Sequence, residues 1–158
     1  GTHATIGSNA YAKCIHEIDP KMKVFSLACP LFVPLAEEGY IDKEATYLIA
    51  SDYLQTMKDV DVDTLVLGCT HYPLLKHVIG DVMGDNVQLI DSAEETARVV
   101  NELLSEMNLL NPHASQTPCP EGETKYFVSD VPERFSGVAS RFLGREVSRI
   151  TRVDISRY

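Results

Sequence analysis

The sequence predicts an α/β protein built on parallel strands, and three observations carry that expectation. Short apolar runs stop at glycine, proline or aspartate. An amphipathic stretch follows most of them. The alternation repeats along all 158 residues, which is the pattern of strands joined by crossover helices. A hydrophobic content of 44% is enough to build a proper core. The expected class is therefore α/β with a doubly wound, mostly parallel sheet.

The elements follow in order. "GTHATIGS" reads as a loop and "NAYAKCIHEI" as a helix that buries Cys14. Val24 to Ala28 reads as a buried strand, after which Pro30 and Pro34 break the backbone into a loop or short turn. "IDKEATYLIASDYLQTMKD" predicts an amphipathic helix, with Asp42 as N-cap and Ala45, Leu48, Ile49, Tyr53 and Met57 as its inner face. "VDTLVLG" predicts a parallel strand buried on both faces. "PLLKHVIGDVMG" predicts a helix with Pro73 in its first turn. "NVQLIDS" is a further strand, and "AEETARVVNELLSEM" a helix capped by Ser92. "NLLNPHASQTPCPEGET" loses all periodicity and reads as a linker, about 110–124. "KYFVSD", "PERFSGVASRFLG" and "VSRITRVDI" then read as strand, helix and strand. There is no internal repeat.

Composition narrows the function. The net charge of −9 argues against a nucleic-acid partner but not against a small anion held by backbone amides. No apolar run approaches the roughly 18 residues of a membrane span. "GTHATIGSNA" lacks the basic and apolar regions of a signal peptide and suggests a chain cut open in mid-protein. Cys14, Cys29, Cys69 and Cys119 are scattered, with no close pair of the kind zinc requires. Free thiols point to a reducing compartment, the cytoplasm.

In parallel sheets, ligands collect beyond the carboxyl ends of strands. Three such ends stand out: the region after Ala28, the run Gly68–Cys69–Thr70–His71, and Asp91–Ser92. At the second, Gly68 allows a sharp turn or close approach. A helix start beyond Cys69 would favour the thiolate and could hold a carboxylate. Thr70 offers a hydroxyl, and His71 can pair with the thiol or move a proton. A lone cysteine at a strand end is also a common core residue. Spacing alone leaves nucleophile, proton-transfer base and bland thiol open.

Other candidates are fewer. Thr2 and Thr5 can donate to a carboxylate or simply cap a turn. Glu37 and Glu38 read as a solvated face, although one could orient His71. His3, His16, His77 and His113 read as surface residues. Cys29 rivals Cys69, and Cys119 reads as exposed. The surroundings of Gly122 match no dinucleotide or phosphate loop.

"LGCTHYPLL" resembles the catalytic motif of the glutamate racemases, a family of cofactor-independent amino-acid racemases. "GTHATIGSNAY", "SLACPLFVPLAEEG" and "LIDSAEETA" resemble further segments of that family, in family order. The resemblance implies two pseudo-symmetric α/β domains with the active site between them, and opposed cysteines that invert the α-carbon of glutamate. It implies no metal or pyridoxal cofactor. Cys69 and His71 take catalytic positions by this resemblance. Thr70, His71, Thr2 and Thr5 take substrate-binding ones, and Glu37 that of a supporting acid. Related aspartate racemases resemble Gly-Cys-Thr-Glu here, so His71 favours glutamate.

The family's other cysteine, in an Ala-Cys-Asn-Thr motif, does not occur in this sequence. Residues 1–91 would then be most of the second domain, and 92–158 a segment returning to the first. That makes one and a half domains, with apolar faces exposed after residue 91. The chain alone is expected to be inactive, and the full-length protein to be a homodimer acting on glutamate. A carboxylate- or protein-binding module and a Cys–His acyl-transfer enzyme are the alternatives.

Overall fold

A computed structural model describes residues 1–112 and 125–157. The chain divides into two compact units, Gly1–Ala93 and Glu94–Tyr158. Most of the expected linker, with His113, Cys119 and Gly122, lies outside the described residues.

In the first unit, β1 (Thr64–Leu67) pairs in parallel with β2 (Gln88–Asp91), with Thr64 opposite Gln88 and Leu67 opposite Asp91. The connection between them is helical. A 3-10 turn, Tyr72–Leu75, with Pro73 near its start, leads into α5 (Lys76–Met83). The predicted helix is thus present, but its first turn is wound more tightly. The α/β class with parallel strands is what the structure displays.

The core gathers around α4 (Glu44–Asp59) and α5. Ala50, Leu54 and Met57 of α4 meet Val78, Ile79 and Met83 of α5. Phe32 and Ala36, from α3 (Phe32–Glu37), close one end with Tyr72 and Leu75. The Phe32 ring is stacked edge-on against both Tyr53 and Tyr72, with centroids 5.4 and 5.2 Å away.

Several expectations are corrected. Pro34 does not break the chain but lies in the first turn of α3, where its missing N–H is an orphan anyway. "HATIGS" is a short helix, α1 (His3–Ser8), rather than a loop, and Thr2 caps it by accepting the Thr5 N–H. Asn9, at φ 54°, turns the corner into α2 (Ala10–Ile18). Ala12 is the buried residue of α2, and Cys14 faces solvent instead of the core. Lys43, not Asp42, occupies the N-cap position of α4. The inner stripe of that helix runs through Thr46, Ala50, Leu54 and Met57, leaving Leu48 exposed. Asp91 accepts the Ala93 N–H at the start of α6 (Ser92–Glu106).

Two corrections concern the sheet. Val24 to Ala28 forms no assigned strand, and β1 is not buried on both faces. Thr64 is exposed, Leu65 and Val66 are half-buried, and only Leu67 is fully covered.

In the second unit, β3 (Tyr126–Val128) pairs in parallel with β4 (Ile150–Arg152). Helix α7 (Pro132–Leu143) is tied to the loop before β4. Ser136 Oγ donates to the Val147 carbonyl at 2.6 Å, and the Val147 N–H donates to Ser140 Oγ at 3.0 Å. Helix α6 has no buried residue. Val99, Val100, Leu103 and, just past its end, Met107 are exposed. Among the described residues, no helix is long and apolar enough to cross a membrane.

Candidate active site

The site is assembled at the carboxyl end of β1. Leu67 is the last strand residue and is buried. Gly68 then lets other backbone come close. A Cβ placed there would sit 3.2 Å from the Tyr11 ring and 3.6 Å from the Thr5 methyl carbon. The same crowding holds from the other side, since a Cβ on Gly1 would be 3.3 Å from the Gly68 carbonyl oxygen. The turn carrying Thr2 and Thr5 is therefore held against the residue before Cys69. The two threonine hydroxyls are 3.0 Å apart, so they act as a pair.

Cys69 is partly exposed. Its carbonyl accepts the Tyr72 N–H at 3.2 Å, and the His71 carbonyl accepts the Leu74 N–H at 3.2 Å. These turns fold Thr70 and His71 back over the strand end. The α-helix proper begins only at Lys76. The helix start expected at Pro73 is thus corrected: a 3-10 turn, Tyr72–Leu75, stands between Cys69 and the α-helix, whose dipole acts within about its first turn.

His71 Nε2 lies 3.5 Å from Glu37 Oε1. Its other ring nitrogen is 3.5 Å from the Thr70 hydroxyl. The imidazole is thereby bracketed by a carboxylate on one side and a hydroxyl on the other, which restricts its orientation. Glu37 reaches His71 because α3 ends there and packs on the 3-10 turn.

The sequence reading did not place Tyr72 in this site, and it weighed Cys29 only as a rival thiol to Cys69. Tyr72 is 3% exposed, and its phenol donates to the Cys29 carbonyl at 2.8 Å. Burial pushes the Tyr72 phenol well above its ordinary range. Burial also pushes the Cys29 thiol up. Cys29 lies in the core, and its N–H donates to the Gly1 carbonyl at 2.9 Å. The signal for Tyr72 was its position in an otherwise apolar run, since a buried phenol needs an acceptor.

The structure thus joins His71 to Glu37, Thr70 to His71, Thr2 to Thr5, and Thr5 to the backbone preceding Cys69. His3, His16 and His77 are exposed. His77 lies 3.5 Å from Asp81, and His16 is 3.0 Å from the Met22 carbonyl. Among the described residues, no group of three or more His, Cys, Asp or Glu side chains could hold a metal ion.

Fold and site together define a parallel α/β protein with an acid–base cluster at a strand's carboxyl end. The chain is similar to glutamate racemases over nearly its whole length. It is 53% identical over 155 residues to the glutamate racemase of Geobacter metallireducens, a match covering 98% of this chain and 56% of that protein. It is 46% identical over 155 residues to that of Syntrophus aciditrophicus, with the same coverage. Among solved structures, the Francisella tularensis glutamate racemase in complex with D-glutamate matches with a TM-score of 0.84 at 37% identity, covering 100% of this chain and 57% of that one. The Thermus thermophilus glutamate racemase in complex with β-chloro-D-alanine matches with a TM-score of 0.78 at 40% identity, covering 100% and 56%. No protein-family model matches. The chain spans about half the length of the curated relatives it matches.

Proposed function

We propose that this chain supplies one of the two proton-transfer thiols of a glutamate racemase that interconverts L- and D-glutamate. The observation that carries the reading is the bracketed His71, held 3.5 Å from Glu37 two residues beyond Cys69. The 53% identity to a glutamate racemase supports the substrate.

The chemistry follows from the residue types. The Cys69 thiolate takes the α-proton from one face of glutamate, and the electron pair stays on the α-carbon. A thiol on the opposite face then delivers a proton there, inverting the centre. An α-proton beside a carboxylate is weakly acidic, so preorganised donors near the carboxylate carry much of the catalysis. Thr2, Thr5 and Thr70 supply hydroxyls for that purpose. Glu37 holds His71, which exchanges protons with Cys69.

The opposing thiol is not among Cys14, Cys29 and Cys119, because none stands in the Ala-Cys-Asn-Thr context of the family resemblance. Residues 1–91 serve as most of one catalytic domain and 92–158 as part of the other. We further propose that the whole protein is a cytoplasmic homodimer in a bacterium, supplying D-glutamate for peptidoglycan.

Circular dichroism of glutamate solutions tests this. The 158-residue chain alone should leave both enantiomers unchanged, and turnover by it would sink the two-thiol reading. Fused to the remaining part of the Geobacter metallireducens relative, it should racemise glutamate. Cys69→Ser in that fusion should abolish turnover, and an unaffected rate would remove Cys69 from the mechanism.

A further inference from the structure

Tyr72 is bonded at both its ends, and each bond leads to a different part of the site. Its N–H donates to the Cys69 carbonyl at 3.2 Å. Its phenol donates to the Cys29 carbonyl at 2.8 Å, in a buried bond. The Cys29 carbonyl also accepts the Phe32 N–H at 3.2 Å, and Phe32 is where α3 starts. One residue therefore joins the backbone of the thiol's turn to the start of α3.

The turn and α3 touch a second time at the other end of that helix. Glu37 is the last residue of α3, and its carboxylate lies 3.5 Å from His71, the residue before Tyr72. The two contacts differ in strength. The Glu37 and His71 side chains are 52% and 26% exposed, and an ion pair that wet contributes little. The phenol's bond is shielded from water, and leaving the group unpaired there would cost its full desolvation. The Tyr72 ring is also fixed in orientation, since Phe32 meets it edge-on at an interplanar angle of 83°. Helix α4 steadies the same end of α3 through Tyr53, whose phenol oxygen accepts the Leu31 N–H at 3.4 Å.

We propose that Tyr72 is the positioning residue of the Cys69–His71 pair. Its phenol seats the Cys69–His71 turn against the start of α3, and α3 then presents Glu37 to the imidazole. The contact between Glu37 and His71 follows from that seating rather than creating it. The proposal rests on the reading of Cys69 and His71 as a proton-transfer pair. Tyr72 is not itself a catalytic residue, because its phenol is spent on a backbone carbonyl. It acts through the turn, where a displacement of about 1 Å can slow a reaction about 100-fold.

The test measures alkylation of Cys69 at pH 7 in the 158-residue chain, resolved from the other cysteines by peptide mapping. The unsubstituted chain, His71→Asn, Tyr72→Phe and the double variant form a cycle. The thiolate is the form that alkylates, so His71→Asn should slow Cys69 about tenfold in the unsubstituted chain. Tyr72→Phe alone should bring Cys69 close to the His71→Asn rate. With Tyr72→Phe in place, His71→Asn should slow it further by less than about twofold. Ile79→Val loosens the core without touching the phenol's bond, and should keep the tenfold effect.

A tenfold effect that survives Tyr72→Phe overturns the positioning role and leaves the pair standing. Loss of the effect in Ile79→Val as well makes Tyr72 one core residue among others, and also overturns the role. No effect of His71→Asn in the unsubstituted chain overturns the pair itself, and the proposal with it. Should Tyr72→Phe fail to fold in this chain, it is placed in the Geobacter metallireducens fusion and read as kcat and KM for glutamate. There it should lower kcat about tenfold or more, with KM within about twofold. An unchanged kcat overturns the proposal.

Discussion

Tyr72 and Cys29 are bound to each other across forty-three residues of chain by a buried bond of 2.8 Å from phenol to carbonyl. This bond connects the turn that carries His71 to the segment facing Gly1. The Cys29 carbonyl also accepts the Phe32 N–H at 3.2 Å, so removing the phenol does not leave it wholly unpaired. Tyr72→Phe is therefore expected to cost about 1 kcal/mol, read as a lower urea midpoint with an unchanged slope.

The same burial gives the first unit an alkaline limit. In the folded state Tyr72 holds its proton above the ordinary 10.0, and Cys29 above the ordinary 9.0. Unfolding frees both groups to ionise at their ordinary values. Their contribution to stability is complete below about pH 9 and is lost as the pH rises from there through the raised folded-state values. Urea midpoints should be level between pH 7 and 8 and fall above pH 9. Tyr72→Phe should flatten the part of that fall above pH 10.

Phe32 is 1% exposed and touches two aromatic rings. Phe32→Ala should cost about 3–5 kcal/mol, and Phe32→Leu clearly less. If the ring pair also steadies the turn after Cys69, the alanine variant should raise hydrogen exchange at His71 and Tyr72 more than in α4.

Thiol labelling should follow exposure. Cys14 is exposed, Cys69 partly covered and Cys29 4% exposed. Peptide mapping after timed alkylation should find Cys14 modified first and Cys69 later. Cys29 should react only when the unit unfolds. Early modification of Cys29 would contradict its place in the core.

Glu37 and His71 should act as one unit. In the fusion with the Geobacter metallireducens relative, His71→Asn should lower kcat by about 100-fold, and Glu37→Gln by less. Combined, the two should cost no more than His71→Asn alone, because Glu37 acts through the imidazole. Additive losses would give Glu37 a separate role.

Much of this arrangement was legible in the sequence, for identifiable reasons. The strand "TLVL", the helix "EATYLIASDYLQTMKD" and the alternation of the second unit carry their own periodicity. Gly68–Cys69–Thr70–His71 stood out because three polar groups followed an apolar run. What stayed hidden depends on partners rather than on pattern. Val24–Ala28 has the composition of a strand, but a strand exists only through the ladder beside it. The pairing of His71 with Glu37 joins positions far apart in sequence, and only the fold of α3 onto the 3-10 turn makes it. The face of α2 that carries Cys14 is decided by Tyr11 and Ile15, whose apolar bodies line the same cavity as β1. Thr2 could be read as ligand or cap, and only the structure shows its hydroxyl oxygen accepting the Thr5 N–H.

The exposed face of α6 bears on how the chain melts. Val99, Val100 and Leu103 already meet water in the folded chain, and Arg98 with Glu95 and Glu102 adds surface ion pairs of little worth. Melting that helix uncovers only part of its apolar surface, and uncovered apolar surface is what raises the heat capacity on unfolding. A calorimeter should therefore record a heat-capacity step to which residues 92–106 contribute little. Helix α6 should come apart gradually, as a sloping baseline rather than a peak.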